Sequence, residues 1–302
     1  MALVACLASL VLVWMMVPQA SSSPTSTTGE TMDSDGFLEV TAGLFHTCAV
    51  DSHHEVVCWG LDTQGSTRPP RRPLRGLSAG LFHSCGLTDE GHPWCWGVNS
   101  FGQSEPAAGS FVQVTAGGVH SCGLTDEGEV RCWGADDDGQ SSPPPTRFVH
   151  LAAGGAHSCG VSEEGEVHCW GDHRRGQSTP PEGESFRLVA AGSTHSCGIT
   201  ADEEIRCWGE NRDGQSSPPA GRFLSLDVSS RHSCAVRETG GMICWGSNDH
   251  GRSSPPLGSF RGVSTGGSHS CGITRRGRVS CWSVGELPWS QPPEEILAVG
   301  RR

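Results

Sequence analysis

Fourteen of the fifteen cysteines fall into seven pairs, each spanning ten positions: Cys48 and Cys58, Cys85 and Cys95, Cys122 and Cys132, Cys159 and Cys169, Cys197 and Cys207, Cys234 and Cys244, Cys271 and Cys281. Two residues ahead of each first cysteine stands a histidine: His46, His83, His120, His157, His195, His232 and His269. Thiols so spaced can oxidise to a disulfide, hold a metal or shuttle electrons. Zinc is the sharper alternative, since His120, Cys122 and Cys132 would offer three of the four ligands a structural site takes. Redox shuttling is disfavoured because the chain has no Cys-x-x-Cys pair.

The choice depends on what positions these residues. First cysteines recur at intervals of 37, 37, 37, 38, 37 and 37, and a tryptophan follows every second cysteine, from Trp59 to Trp282. Eleven positions before each first cysteine is Phe37, Leu74, Phe111, Phe148, Phe186, Phe223 or Phe260. Repeats are sought first because a fixed period decides the architecture. Inside a repeat the apolar period is two, as in a half-buried strand. His120, Cys122 and Leu124 share one strand face, Asp126-Glu127-Gly128 forms a turn, and Val130 to Gly134 forms a third strand. Counting outward from Glu127 sets Leu124 against Val130 and Cys122 against Cys132. Opposed strand residues lie near the separation a disulfide needs, so one disulfide per repeat is the favoured pairing. The fold expected is all-β: a seven-bladed β-propeller built from seven repeats of about 37 residues, with one Cys pair per blade.

Composition supports this. The 302 residues include 42 glycines and 19 prolines, too many for long helical arrays. Every one of the 21 basic residues is arginine, and the formal charge of −12 argues against a nucleic-acid partner. With 35% hydrophobic and 18% charged residues the chain is too apolar to be disordered throughout.

The run His120-Ser121-Cys122-Gly123-Leu124-Thr125, the Gly128 turn, and Trp133-Gly134 followed by Gly139-Gln140 resemble the repeat of the regulator-of-chromosome-condensation family. A fuller tail is written Trp96-Gly97-Val98-Asn99-Ser100-Phe101-Gly102-Gln103 and again from Trp208 to Gln215. The resemblance covers about residues 36 to 290 and implies the seven-bladed ring. Repeats of that family are typically longer and lack paired cysteines. Shorter blades are similar to those of the type II β-lactamase inhibitor protein, and cysteine pairs are similar to those of crinkly-type receptor ectodomains, both extracellular binders. The family's nuclear nucleotide-exchange member works through a protruding wedge that nothing here matches, so no catalytic residue is carried over.

A feature repeated in every blade maintains the blade, whereas a working site breaks the repetition. The histidines are therefore expected to anchor blades to neighbouring backbone, and the tryptophans to pack. Asp136-Asp137-Asp138-Gly139 lacks the alternating spacing of a calcium loop and reads as a solvated turn. Two features do break the repetition. The turns after the middle strands are acidic at Asp89-Glu90, Asp126-Glu127, Glu163-Glu164 and Asp202-Glu203-Glu204, but basic at Arg275-Arg276. A second basic group, Arg68, Arg71, Arg72 and Arg75, is set among prolines. Both are candidate partner-binding sites that could steer a charged protein.

The N-terminus carries an apolar run from Ala2 to Val17, shorter than the roughly 20 residues of a spanning helix. Residues 1–20 are expected to be a signal peptide, 21–35 a Ser/Thr-rich linker and 36–302 the propeller, with Cys6 in the removed segment. Either Leu297-Ala298-Val299 or the Phe37 strand is expected to complete the last blade. The functional expectation is a secreted or periplasmic, monomeric, non-catalytic propeller that binds an unidentified protein, without cofactor, nucleic acid or stable membrane span once the leader is removed. The rivals are a guanine-nucleotide exchange factor for a small GTPase, and an enzyme or carbohydrate binder with a pocket on the propeller.

Overall fold

The structure, a computed structural model, describes residues 36–283 and 292–293. The leader, the linker, Cys6 and Leu297-Ala298-Val299 lie outside these residues. Seven antiparallel three-stranded sheets follow one another along the chain, at 37–60, 75–97, 113–134, 148–171, 186–209, 223–246 and 260–282. They are numbered here as blades 1 to 7, each with an inner, a middle and an outer strand in chain order. In blade 3 these are Gln113–Ala116, His120–Leu124 and Val130–Gly134. The register between middle and outer strands is the expected one, with Leu124 opposite Val130 and Cys122 opposite Cys132. Gly128 closes their turn at φ 82°, a backbone conformation that few residues other than glycine adopt without strain.

The core lies between blades. Cys85 and Leu87 of blade 2 pack with Phe111, Val114 and Trp133 of blade 3, and Cys122 and Leu124 of blade 3 pack with Phe148, Leu151 and Trp170 of blade 4. A single blade therefore cannot bury its own apolar residues, so the ring forms as a whole. The apolar marker at the start of each blade packs near that blade's tryptophan, with ring centroids 6.3 Å apart for Phe111 and Trp133 and 5.7 Å for Phe148 and Trp170.

The Phe37 strand does not complete the last blade: it is the inner strand of blade 1, while the described strands of blade 7 are Phe260–Thr265, Ser270–Thr274 and Val279–Trp282. Blades 7 and 1 meet side by side. Ala42 N donates to Ser264 Oγ at 2.9 Å, Phe37 N to Gly277 O at 2.7 Å, and Gly267 N to Gly43 O at 3.2 Å.

Candidate interaction surfaces

All seven cysteine pairs are disulfides, with Cα separations of 4.0 to 4.1 Å across directly opposed strand positions. This rules out the zinc reading, since both sulfurs of each proposed site are bonded to each other. The histidines have another task. Nε2 of His46, His83, His120, His157, His195 and His232 lies 2.7 to 2.8 Å from the serine hydroxyl of the next blade, and His269 Nε2 lies 2.7 Å from Thr47 Oγ1. The result is an unbroken belt of seven hydrogen bonds around the ring. The partner is thus a side chain of the next blade, where a backbone group was expected.

Proton positions in the belt follow from its neighbours. Ser121, Ser158, Ser196, Ser233 and Ser270 each donate to a main-chain carbonyl, for example Ser158 to Gln140 O at 3.2 Å. Their oxygens must then accept from the histidine, which places the ring proton on Nε2. The same carbonyls accept the indole N–H of Trp133, Trp170, Trp208, Trp245 and Trp282. Burial pulls the imidazoles down to about 4 at His46, His157 and His269, and to about 3 at His83, His120, His195 and His232.

The two ends of the ring differ. The face bearing the middle-to-outer turns carries the acidic arc, and each turn is tied to the next blade, as by Phe111 N to Gly91 O at 2.8 Å. The turn residues Asp89, Glu90, Asp126, Glu127, Glu163, Glu164, Asp202, Glu204, Arg275 and Arg276 are exposed, while Glu203 is half-buried. Large apolar residues at this face, Leu38, Val112, Val149 and Leu224, are exposed one per blade. The same position carries Arg75, Arg187 and Arg261 in the other blades.

The members of the predicted arginine quartet make different contacts. Arg68 pairs with Asp62 at 2.7 Å, and the Arg72 guanidinium lies 4.0 Å from the centre of the Trp94 ring, an exposed cation–π contact. Arg71 is exposed, and Arg75 opens the inner strand of blade 2. Arg275 and Arg276 lie on the far side of blade 1 from this group, so the two basic features are not brought together.

On the opposite face, the turn between inner and middle strands meets the tail that follows Trp-Gly. Leu61 N donates to Phe45 O at 2.8 Å, and Val98 N to Phe82 O at 3.0 Å. Here blades 1 and 2 present Leu44, Phe45, Leu61, Leu81, Phe82 and Phe101. The Phe45 and Phe82 rings lie 6.4 Å apart, and Phe101 and Leu61 are 55% and 49% exposed. Blades 4 to 6 carry charges at the corresponding positions. Arg174 bridges Asp172 (2.7 Å) and Asp138 (3.7 Å), Arg175 and Arg212 both reach Glu210, and Arg231 bridges Asp213 (2.8 Å) and Asp249 (3.4 Å). In blade 3, Asp136 accepts from Ser141 N and Ser142 Oγ at 2.8 and 2.7 Å, in keeping with a turn held by its own hydroxyls. The sequence reading, drawn to charge, missed this apolar sector. Its signal was Gly-Leu-Phe-His in the first two repeats against Gly-Gly-Val-His in the third.

These features define a propeller whose blades are stapled internally and belted side chain to side chain. Six segments, 37–66, 75–103, 111–140, 148–177, 186–215 and 224–252, match the regulator of chromosome condensation (RCC1) repeat, and the chain belongs to that family. It is similar to the CRINKLY ectodomain of the Arabidopsis thaliana receptor kinase ACR4, with 27% identity over 85% of this chain and 99% of that one, and a TM-score of 0.70. The entire ectodomain of the Physcomitrella patens receptor kinase CR4 is 27% identical over 83% of this chain and 74% of that one, with a TM-score of 0.72. Prp20p of Saccharomyces cerevisiae, described with its binding to Gsp1p and histones, shares the fold at 18% identity over 86% and 84% of the two chains, with a TM-score of 0.66. No curated protein matches the chain in sequence. Among the described residues no helix is long and apolar enough to cross a membrane.

Proposed function

We propose that the chain is an extracellular, non-catalytic propeller that binds another protein through the apolar sector of blades 1 and 2. The carrying observation is that sector: Leu61 and Phe101 are exposed and Leu44, Phe45, Leu81 and Phe82 half-buried beside them, on a face whose corresponding positions in blades 4 to 6 are ion-paired. A contiguous apolar patch marks an interaction site, whereas apolar residues scattered singly, as on the opposite face, do not. Asp137 of the adjoining blade 3 is exposed, so the partner suited to this face presents apolar side chains beside a basic one. Arg71, the Arg72–Trp94 stack and Arg275-Arg276 are proposed as steering charges outside the apolar contact. Seven disulfides and the receptor-ectodomain relatives support an oxidising, extracellular setting.

Two measurements test the reading. The non-reduced intact mass of protein from its native host should lie about 14 Da below the reduced mass, two hydrogens per disulfide. Photo-cross-linking beside Phe101 suits a lysine-free chain, which amine-directed reagents cannot label on side chains. With the photoreactive residue placed at the exposed neighbouring position 100, so that Phe101 stays free to be varied, it should capture an extracellular protein that Leu61→Ser with Phe101→Asp no longer captures. Capture that is unchanged in the double variant would refute the assigned surface. A chain with its propeller thiols free would refute the extracellular setting and direct the search to a GTPase.

A further inference from the structure

The inner strands of all seven blades enclose an axial channel, pinched at a ring that includes Ala42, Ala79, Ala116, Ala153 and Ala191. On the side facing the middle-to-outer turns it widens to a cavity of about 310 Å³, at the lower end of the range for small-molecule sites. Its walls show where the repetition fails. At one level the blades contribute Thr41, Ser78, Thr115, Ala152, Ala190, Asp227 and Ser264 in order. Four of the hydroxyls do one job: Thr41, Ser78, Thr115 and Ser264 each accept a main-chain N–H from the next inner strand, at 2.8 to 3.0 Å.

Asp227 does that job too, accepting Thr265 N at 2.6 Å through Oδ2. A hydroxyl suffices for it in four other blades, so the charge serves something else. Ser264 Oγ and Thr265 Oγ1 also donate to Oδ2, each at 3.1 Å. Among the described residues no arginine or histidine pairs with this carboxylate. Burial pushes its pKa up, against the pull of these donors, and the half-buried residue lines the channel. A buried charge without a counter-charge is costly.

The space beside Asp227 is matched to an occupant. Ala152 and Ala190, in blades 4 and 5, leave room where other blades carry hydroxyls. Leu188 and Leu224 supply an apolar wall. His150 stands at the next level, receiving Val189 N at Nδ1 (3.5 Å), which leaves Nε2–H as a donor. Burial pulls this imidazole down to about 4, so it brings no competing positive charge at neutral pH.

We infer that the channel between blades 4 and 6 binds an alkylammonium or guanidinium group, with Asp227 as its counter-ion and the leucine wall along its stem. Such a group occurs in small polyamines and at the end of a peptide-borne arginine or lysine.

Calorimetry of the intact, oxidised protein with agmatine, and separately with a capped Gly-Gly-Arg peptide, tests the inference. Asp227→Thr restores the hydroxyl that blades 1 and 3 use, and Asp227→Asn keeps the shape without charge. Wild-type protein is expected to bind agmatine, and both variants at least about tenfold more weakly. The melting temperature of Asp227→Thr should equal or exceed that of wild type. Peptide binding at agmatine's affinity would assign the site to a partner's side chain, and binding of agmatine alone to a small molecule. No binding by the wild type, or equal binding by the variants, would overturn the inference. Neither result depends on the apolar sector of the opposite face.

Discussion

One face of the ring holds two sectors on the same backbone. At blades 1 and 2 the turn and tail positions carry Leu44, Phe45, Leu61, Leu81, Phe82 and Phe101. At blades 4 to 6 the corresponding positions carry arginines and acids that neutralise one another in a chain from Asp138 to Asp249. Strand register, disulfide and histidine bond are shared by both, so the scaffold cannot explain the difference. Within a repeat protein the invariant positions report on folding and the variant ones on what the surface meets. The ion-paired sector is satisfied within the chain, whereas the apolar sector leaves Leu61 and Phe101 exposed, and it is this surface that the proposed binding uses.

That division fails if repeated positions prove dispensable or if varied ones prove structural. The largest effect expected is acid loss of the belt. Each belt histidine titrates near 6.5 when unfolded but at about 3 to 4 when folded. Above pH 6.5 both states are neutral and stability is full. As pH falls below that, the unfolded chain takes up protons that the folded one refuses, so stability drops by about 1.4 kcal/mol per pH unit for each such histidine. Thermal melts at stepped pH should show a steep collapse between pH 6.5 and 4, and a flat profile there would contradict the buried neutral belt.

Next in size is the staple. Replacing both Cys122 and Cys132 by alanine should cost about 2–3 kcal/mol in denaturant unfolding of the oxidised protein, without changing partner capture. Smaller still is Arg231→Ala, which removes two exposed ion pairs and should leave the melting temperature nearly unchanged. The smallest effect on stability belongs to Leu61→Ser with Phe101→Asp, which removes exposed apolar surface. Its melting curve should overlay that of the wild type while partner capture is lost. A marked destabilisation would make this sector part of the core and dissolve the comparison.

The fold was legible because its determinants are local and repeated. The register of Cys122 with Cys132 follows from counting outward from a single turn, and seven copies of the count remove any accident. The belt was not legible. His120 and Ser158 lie 38 residues apart in different repeats, and nothing within one repeat says that its histidine faces the next blade's serine. The Phe37 alternative for closure failed for a related reason: its pairing with the His46 strand of its own repeat makes it the inner strand of blade 1. Asp227 was legible in principle as the one charge at a level of hydroxyls and alanines. Attention to the exposed charges of the turns passed over it.

Among the described residues every disulfide begins and ends within one repeat, and each blade takes its three strands from one stretch of chain. A genetic event that adds, deletes or reorders whole repeats therefore never strands half of a cross-link. The unit of inheritance coincides with the unit of oxidation, and a gene opened at any of the connectors would encode a chain whose cysteines still find their partners ten residues away.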